Sequence, residues 1–306
     1  MRLAKVLGAI GRACITLGTL LLLFVAYQLW GTGIREAQAQ SRLGDEFEEL
    51  LVDASRPTTT TTAPGDPTPV PTIAPAAVGE PTAQIRIPRI GLDKTVVEGV
   101  GVSDLKKGPG HYPESPLPGQ KGNAAIAGHR TTYGAPFNRV DELKPGDEIF
   151  VTTVQGEFRY LVQDTADDDG RIMEEGGDGD GHQIVSPSQV EVLEDKGDDR
   201  LTLTACHPKY SARQRIVIVA ELGPNQTALA AQVSDTPPAI DDIDGEGAPA
   251  LPAILLGLLC VAIWFLAWAV GRQWRKWPAY LVCGPFFAVS LFFFFEEFSR
   301  LLPSNF

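Results

Sequence analysis

Residues 250–271, ALPAILLGLLCVAIWFLAWAVG, carry no charged side chain over a length that matches the hydrocarbon core of a bilayer. Lipid offers the backbone no hydrogen-bond partners, so such a run is restricted to a helix that satisfies itself. The same restriction recurs twice. Ala13 to Trp30 is uncharged and follows Arg2, Lys5 and Arg12, and residues 278–295, PAYLVCGPFFAVSLFFFF, follow the basic stretch RQWRKW at 272–277. The last run is the weakest of the three because Pro285 interrupts it. Basic flanks remain cytoplasmic. Arg2, Lys5 and Arg12 at one end and Arg272, Arg275 and Lys276 at the other therefore fix one topology, with residues from about 31 to 249 outside the cell. AQA at Ala37 to Ala39 resembles a signal cleavage site, but the preceding apolar stretch exceeds a usual signal core, which favours an uncleaved anchor.

Between these runs the chain divides by composition. Residues 31–83 read as an extracytoplasmic linker whose core, SRPTTTTTAPGDPTPVPTIAPAAVGEPT, is too poor in large apolar residues to fold. In polyproline conformation that stretch reaches on the order of 80 Å at ~3.1 Å per residue, enough to lift a domain off a membrane. Residues 84–222 read as one globular domain. A second polar linker, residues 223–249, leads back to the run at 250–271, and the sequon at Asn225 within it is a chance match if the cell is bacterial. The formal net charge of −12 excludes the basic face that a nucleic-acid partner would require.

Inside the domain, short alternating or apolar runs are separated by Gly, Pro, Asn and Asp. They are QIRIPRI (84–90), KTVVEGV (94–100), NAAIAGH (123–129), DEIFVTTV (147–154), EFRYLVQDT (157–165), RLTLTAC (200–206) and QRIVIVAEL (214–222). This rhythm predicts an all-β sandwich or barrel. PFNRVDEL and SPSQVEVLED are expected as short helices, the second begun by a capping serine, and VQGEF as a hairpin turn.

Cys14, Cys260 and Cys283 fall in the membrane runs, so Cys206 is the only cysteine of the exported domain. A lone thiol there is a buried inert residue, a partner for another chain, or a nucleophile. A nucleophile needs a base or cation close in space. Of the four histidines, His129 ends a strand and can project from it, His207 adjoins Cys206 and so faces the opposite side, His182 sits in an acidic glycine-rich stretch, and His111 in GPGHYP lines a site or the surface. If HPKYSA turns the chain, Arg215 returns beside Cys206, where a guanidinium can stabilise a developing oxyanion, or else sits at an edge paired with acids. Arg213 fits the second description.

TLTAC followed by SARQR, with AIAGHR upstream, resembles the sortases, cysteine transpeptidases of Gram-positive bacteria. GPGHYPESPLPGQKGNAAIAGHRTTYGAPFNRVDELKPGDEI is most similar to the class E sortases of actinobacteria. The resemblance implies an eight-stranded β-barrel and a catalytic set of Cys206, His129 and Arg215, without metal or cofactor. It implies that Cys206 attacks the Thr-Gly bond of a C-terminal sorting motif such as Leu-Ala-X-Thr-Gly on secreted proteins. Protonated His129 then serves the leaving amine, and an amine of a peptidoglycan precursor resolves the thioacyl intermediate. Tyr112, with His111 beside it, matches the region linked to motif preference. Ala205 stands where the family has threonine, a change expected to bear on substrate positioning, and the pair of C-terminal membrane helices exceeds the usual single anchor.

Other readings compete with this one. The acidic run DTADDDGRIMEEGGDGD could bind calcium, but it has Thr165 and Gly176 where an EF-hand loop needs its first and twelfth ligands, and a solvated loop explains the same letters. A noncatalytic tethered scaffold would need none of the three site residues. A thiol hydrolase would release peptide to water.

Overall fold

The structure, a computed structural model, describes residues 2–55, 76–164, 181–231, 250–273 and 276–301. The chain forms two units, one of Met1–Thr32 with Asp244–Ser304, the other centred on Gly33–Ile243.

In the first unit lie helices α1 (Arg2–Ala26), α4 (Ala250–Gln273) and α5 (Lys276–Arg300). Three helical stretches are long and apolar enough to cross a membrane, at Val6–Ser55, Ala250–Gln273 and Trp277–Ser299. Helix α5 continues through Pro285. Phe24 and Tyr27 meet α5 edge to face, with ring centroids 5.3 Å from Phe295 and 5.2 Å from Phe292 respectively.

A π-helical turn, Tyr27–Gly31, connects α1 to α2 (Thr32–Ser55), so residues 32–55 are helical and not extended tether. The cause is an amphipathic stripe. Glu36, Gln40, Leu43 and Phe47 recur at helical spacing, and Leu43 and Phe47 are buried against the domain. The Thr/Pro-rich stretch at 56–75, the acidic run at 165–180, most of the second linker (232–249), and residues 274–275 of the basic loop lie outside the described residues.

The second unit is built on β1 (Pro81–Ile87), β2 (Leu92–Glu98), β3 (Gly110–His111), β4 (Asn123–Ala127), β5 (Glu148–Thr153), β6 (Gly156–Val162), β7 (Gln183–Val185), β8 (Arg200–His207) and β9 (Gln214–Leu222), with the single-turn helix α3 (Val102–Leu105) after β2. Their order is β6-β5-β1-β2-β3-β4-β8-β9, and a further β9–β6 pairing closes the eight into a barrel. Strand β7 adds to β9 outside the ring. Closure leaves no free edge among the eight. Alternation sets the inside: Ala124 and Ile126 of β4, Leu201, Leu203 and Ala205 of β8, and Ile216 and Ile218 of β9 share one core with Ile85, Ile149 and Tyr160. Gly119 (φ 93) donates its N–H to the buried Tyr160 hydroxyl at 2.6 Å, and a Cβ there would meet the Phe158 ring at 2.1 Å.

The hairpin turn at VQGEF forms, with Thr153 opposite Gly156. The two expected helices are single 3₁₀ turns, Val140–Glu142 and Val190–Leu193. In the first, Phe137, Val140 and Leu143 are buried at a spacing of three, the period of a 3₁₀ turn. The second leaves Val190 exposed, buries none of its residues, and has no side-chain cap.

Candidate active site

Strand β4 runs parallel to β8, with Ala127 opposite Thr204, and the Gly128 N–H donates to the Thr204 carbonyl at 3.0 Å. His129 follows two residues after Ala127, as Cys206 follows two residues after Thr204. On the other side, β9 pairs antiparallel with β8, and Arg215 lies directly opposite Cys206. Because Leu203 and Ala205 point into the core, Cys206 points outward, and Arg215 does so because Ile216 points in. Cys206 and Arg215 thus sit side by side on neighbouring strands, ~4.8 Å apart in the hydrogen-bonding direction, and His129 lies just past the end of the strand on the other side of β8.

Each of the three residues has its own surroundings. Cys206 is half-buried. The Nη1 of Arg215 donates to the Ala212 and Gln214 carbonyls at 3.0 and 3.1 Å, which fixes the guanidinium while its Nε and Nη2 remain uncommitted among the described residues. Arg213 is exposed. His129 is partly exposed as a residue, yet its Nε2 is enclosed with no hydrogen-bond partner among the described residues. Burial, assisted by the nearby Lys106 charge, lowers its pKa from 6.5 to about 4. The imidazole is therefore neutral at pH 7.

The loop after His129 is tightly specified. Tyr133, Gly134 and Ala135 all adopt positive φ (51°, 72° and 44°), which for the two non-glycine residues costs roughly 1–3 kcal/mol each. That conformation is held by hydrogen bonds from Ala135 N–H to the Thr132 carbonyl (2.9 Å), Phe137 N–H to the His129 carbonyl (3.1 Å) and Asn138 Nδ2 to the Arg130 carbonyl (2.8 Å). It brings the Tyr133 ring to 5.2 Å from the His129 ring. Gly128 must lack a side chain, since a Cβ would meet the Phe137 ring at 2.6 Å.

Tyr112 shares this outer face. Its N–H donates to the Ala125 carbonyl and its hydroxyl lies 3.2 Å from Thr204 Oγ1, one outward position before Cys206. Two expected substrate contacts are placed elsewhere. Ala205 is in the barrel core, so its methyl group cannot reach a ligand on the outer face. His111 is 2 % exposed and bound through Nδ1 to Glu98 (2.9 Å) and through Nε2 to the Pro116 carbonyl and Ser115 Oγ (both 3.1 Å). Adjacent strand residues face opposite sides, so with Tyr112 on the outer face His111 is turned inward.

One functional candidate was missed in the sequence. Arg130, 3 % exposed, reaches from the end of β4 to the Cys206 carbonyl (3.4 Å), to His207 Nδ1 (3.2 Å) and to Asp141 (2.9 Å). It ties the backbone of Cys206 to the loop of His129. Since a guanidinium only donates, His207 Nδ1 is an acceptor here. Only the position of Arg130 directly after His129 marks it in the sequence.

The family described as the sortase domain matches residues 85–223. Sortase SrtE1 of Streptomyces coelicolor is 32 % identical over 225 residues, covering 69 % of this chain and 55 % of that protein. The chain thus spans about half the length of that relative. Sortase SrtE2 of the same organism is 26 % identical over 72 % of this chain and 83 % of its own length. The solved sortase E of Streptomyces avermitilis aligns with 48 % of this chain and 90 % of that chain at 34 % identity, with a TM-score of 0.39. With a sortase domain at 85–223, class E relatives, and a closed eight-stranded barrel bearing one cysteine on its outer face, the chain belongs to the sortase family.

Proposed function

We propose that this protein is a membrane-anchored transpeptidase that cleaves the Thr-Gly bond of a C-terminal sorting signal of the Leu-Ala-X-Thr-Gly type and transfers the threonine carbonyl to an amine of a peptidoglycan precursor. The observation that carries the proposal is Arg215 directly opposite Cys206 across β8 and β9, with the enclosed His129 just past the end of β4 on the other side of β8. Neutral His129 accepts the thiol proton as Cys206 Sγ attacks the threonine carbonyl carbon. Arg215 donates to the oxygen as negative charge grows on it. The C–N bond breaks, the imidazolium passes its proton to the departing glycine amine, and the threonine acyl group remains on sulfur. The acceptor amine then attacks the thioester and loses a proton to His129. The thiolate leaves and takes that proton back.

Three apolar helical stretches and the basic clusters that flank them support an anchor with residues 31–249 outside the cell, where such substrates are met. Tyr112 beside Thr204 supports a side-chain contact one position from the reacting bond. The test is incubation of the full chain in detergent with a sorting-motif peptide and an amine, with products read by mass spectrometry. Ligated peptide is expected; cleavage without ligation assigns a hydrolase, and neither product removes the enzymatic reading.

A further inference from the structure

Helix α2 docks on the barrel through two polar side chains that both lead to the His129 loop. Gln40 uses its whole amide: Nε2 donates to the carbonyls of Thr95 and Lys107 (2.9 Å each), and Oε1 accepts from the Thr95 N–H (2.8 Å). One turn earlier, Glu36 is 2 % exposed with Oε1 at 2.6 Å from Lys94 Nζ. Its other oxygen lies against Gly134, where a Cβ would come within 2.4 Å of it. Gly134 is the middle of the three left-handed residues whose first member, Tyr133, packs on the His129 ring. Lys106, next to the residue that Gln40 grips, holds its Nζ 5.6 Å over the Tyr133 ring.

Tyr133 is therefore held from two directions by one helix. We propose that α2 is a positioning element of the active site, in which the reach of the Glu36 side chain onto Gly134 holds Tyr133 over His129 and keeps the imidazole enclosed and aimed. The inference rests on the reading of His129 as the proton carrier. A barrel cut free of α2 would keep its strands and lose the aim of its histidine.

Shape and charge are separable at this position. Glu36→Gln keeps the reach and removes the charge, whereas Glu36→Asp keeps the charge and withdraws it by one methylene. Glu36→Ala removes both. The groups facing His129 are Lys106 after α3 and Tyr133 on its own loop. Loss of the Glu36 anion, acting through space alone, would lower a neighbouring imidazole's pKa. Opening the loop to water would raise it from about 4 toward 6.5. The two effects have opposite signs.

The experiment uses the full chain in detergent with histidine labelled at Cε1. Four histidines make the spectrum assignable, with His129→Gln as reference. The His129 titration and the kcat and KM for a sorting-motif peptide are measured in each variant, with exposed Glu48→Ala on the same helix as control. We expect Glu36→Ala and Glu36→Asp to raise the His129 pKa and to lower kcat on the order of 10- to 100-fold with KM nearly unchanged. Glu36→Gln and Glu48→Ala are expected to behave as the parent. If Glu36→Ala does not fold, the Gln and Asp variants decide alone. An unmoved His129 titration in Glu36→Asp, or a Gln variant as impaired as Asp, overturns the inference. If the parent chain turns over no peptide, the transpeptidase reading fails instead, and the titrations still decide whether α2 positions the histidine.

Discussion

Lowering the pH from 7 to 4 should destabilise the barrel through one side chain. His129 binds a proton at 6.5 when unfolded and at about 4 when folded, so between those values the unfolded chain holds the extra proton. Stability from this group is complete above pH 6.5 and is lost as pH falls toward 4. At ~1.4 kcal/mol per pH unit the loss is ~3 kcal/mol, a large share of a domain's net stability. Other groups titrate in the same window, so the quantity to measure is the difference between the parent and His129→Gln. All five tryptophans lie outside residues 84–222, so urea unfolding of the barrel is followed by the near-ultraviolet dichroism of its tyrosines. The parent should lose ~3 kcal/mol more than His129→Gln between pH 7 and pH 4. Parallel stability curves would show that the imidazole is not enclosed as described, and would remove the neutral resting histidine from the mechanism.

Three further outcomes follow from individual contacts. Arg215→Lys keeps the charge but loses the planar fork and should lower turnover by ~10²- to 10³-fold, while Arg213→Lys should change little; steady-state rates with one peptide reveal the order, and a greater loss at Arg213 would assign the wrong arginine. Arg130→Gln should slow alkylation of Cys206 by iodoacetamide and cost ~2 kcal/mol of stability, because a guanidinium bound to the Cys206 carbonyl, His207 and Asp141 is lost; unchanged alkylation would reduce Arg130 to a packing role. Gly119→Ala should cost at least ~1–3 kcal/mol in urea unfolding, since its Cβ would enter the Phe158 ring.

Much of the barrel was legible because its longer strands alternate: Leu201, Leu203 and Ala205 against Thr202, Thr204 and Cys206 state both faces of β8. Strands β3 and β7, of two and three residues, are too short to show a period, and their pairing is decided by neighbours remote in sequence. Helix α2 was overlooked beside the Thr/Pro-rich tether because two of its inward positions are Glu36 and Gln40. Polar residues usually mark the solvent face, and here their partners are a lysine and barrel backbone. At the site, Cys206 and Arg215 stand opposite each other because of strand register, which the motif itself does not state. The alternation that set His207 apart from Cys206 applies equally to Ala205 and to His111 beside Tyr112, and would have removed both from the outer face. Arg130 and Tyr133 owe their positions to loop conformation, for which local sequence offers no period.

The central claim is that Cys206 forms an acyl bond with the carbonyl side of the cleaved peptide. Intact-protein mass spectrometry of the full chain, quenched in acid after brief mixing with a sorting-motif peptide and no acceptor amine, tests it directly. The expected result is an adduct equal in mass to the acyl fragment, located on Cys206 by digestion, absent from Cys206→Ala and discharged by added amine. An unmodified cysteine in a sample that cleaves the peptide, or the same adduct in Cys206→Ala, would contradict the account.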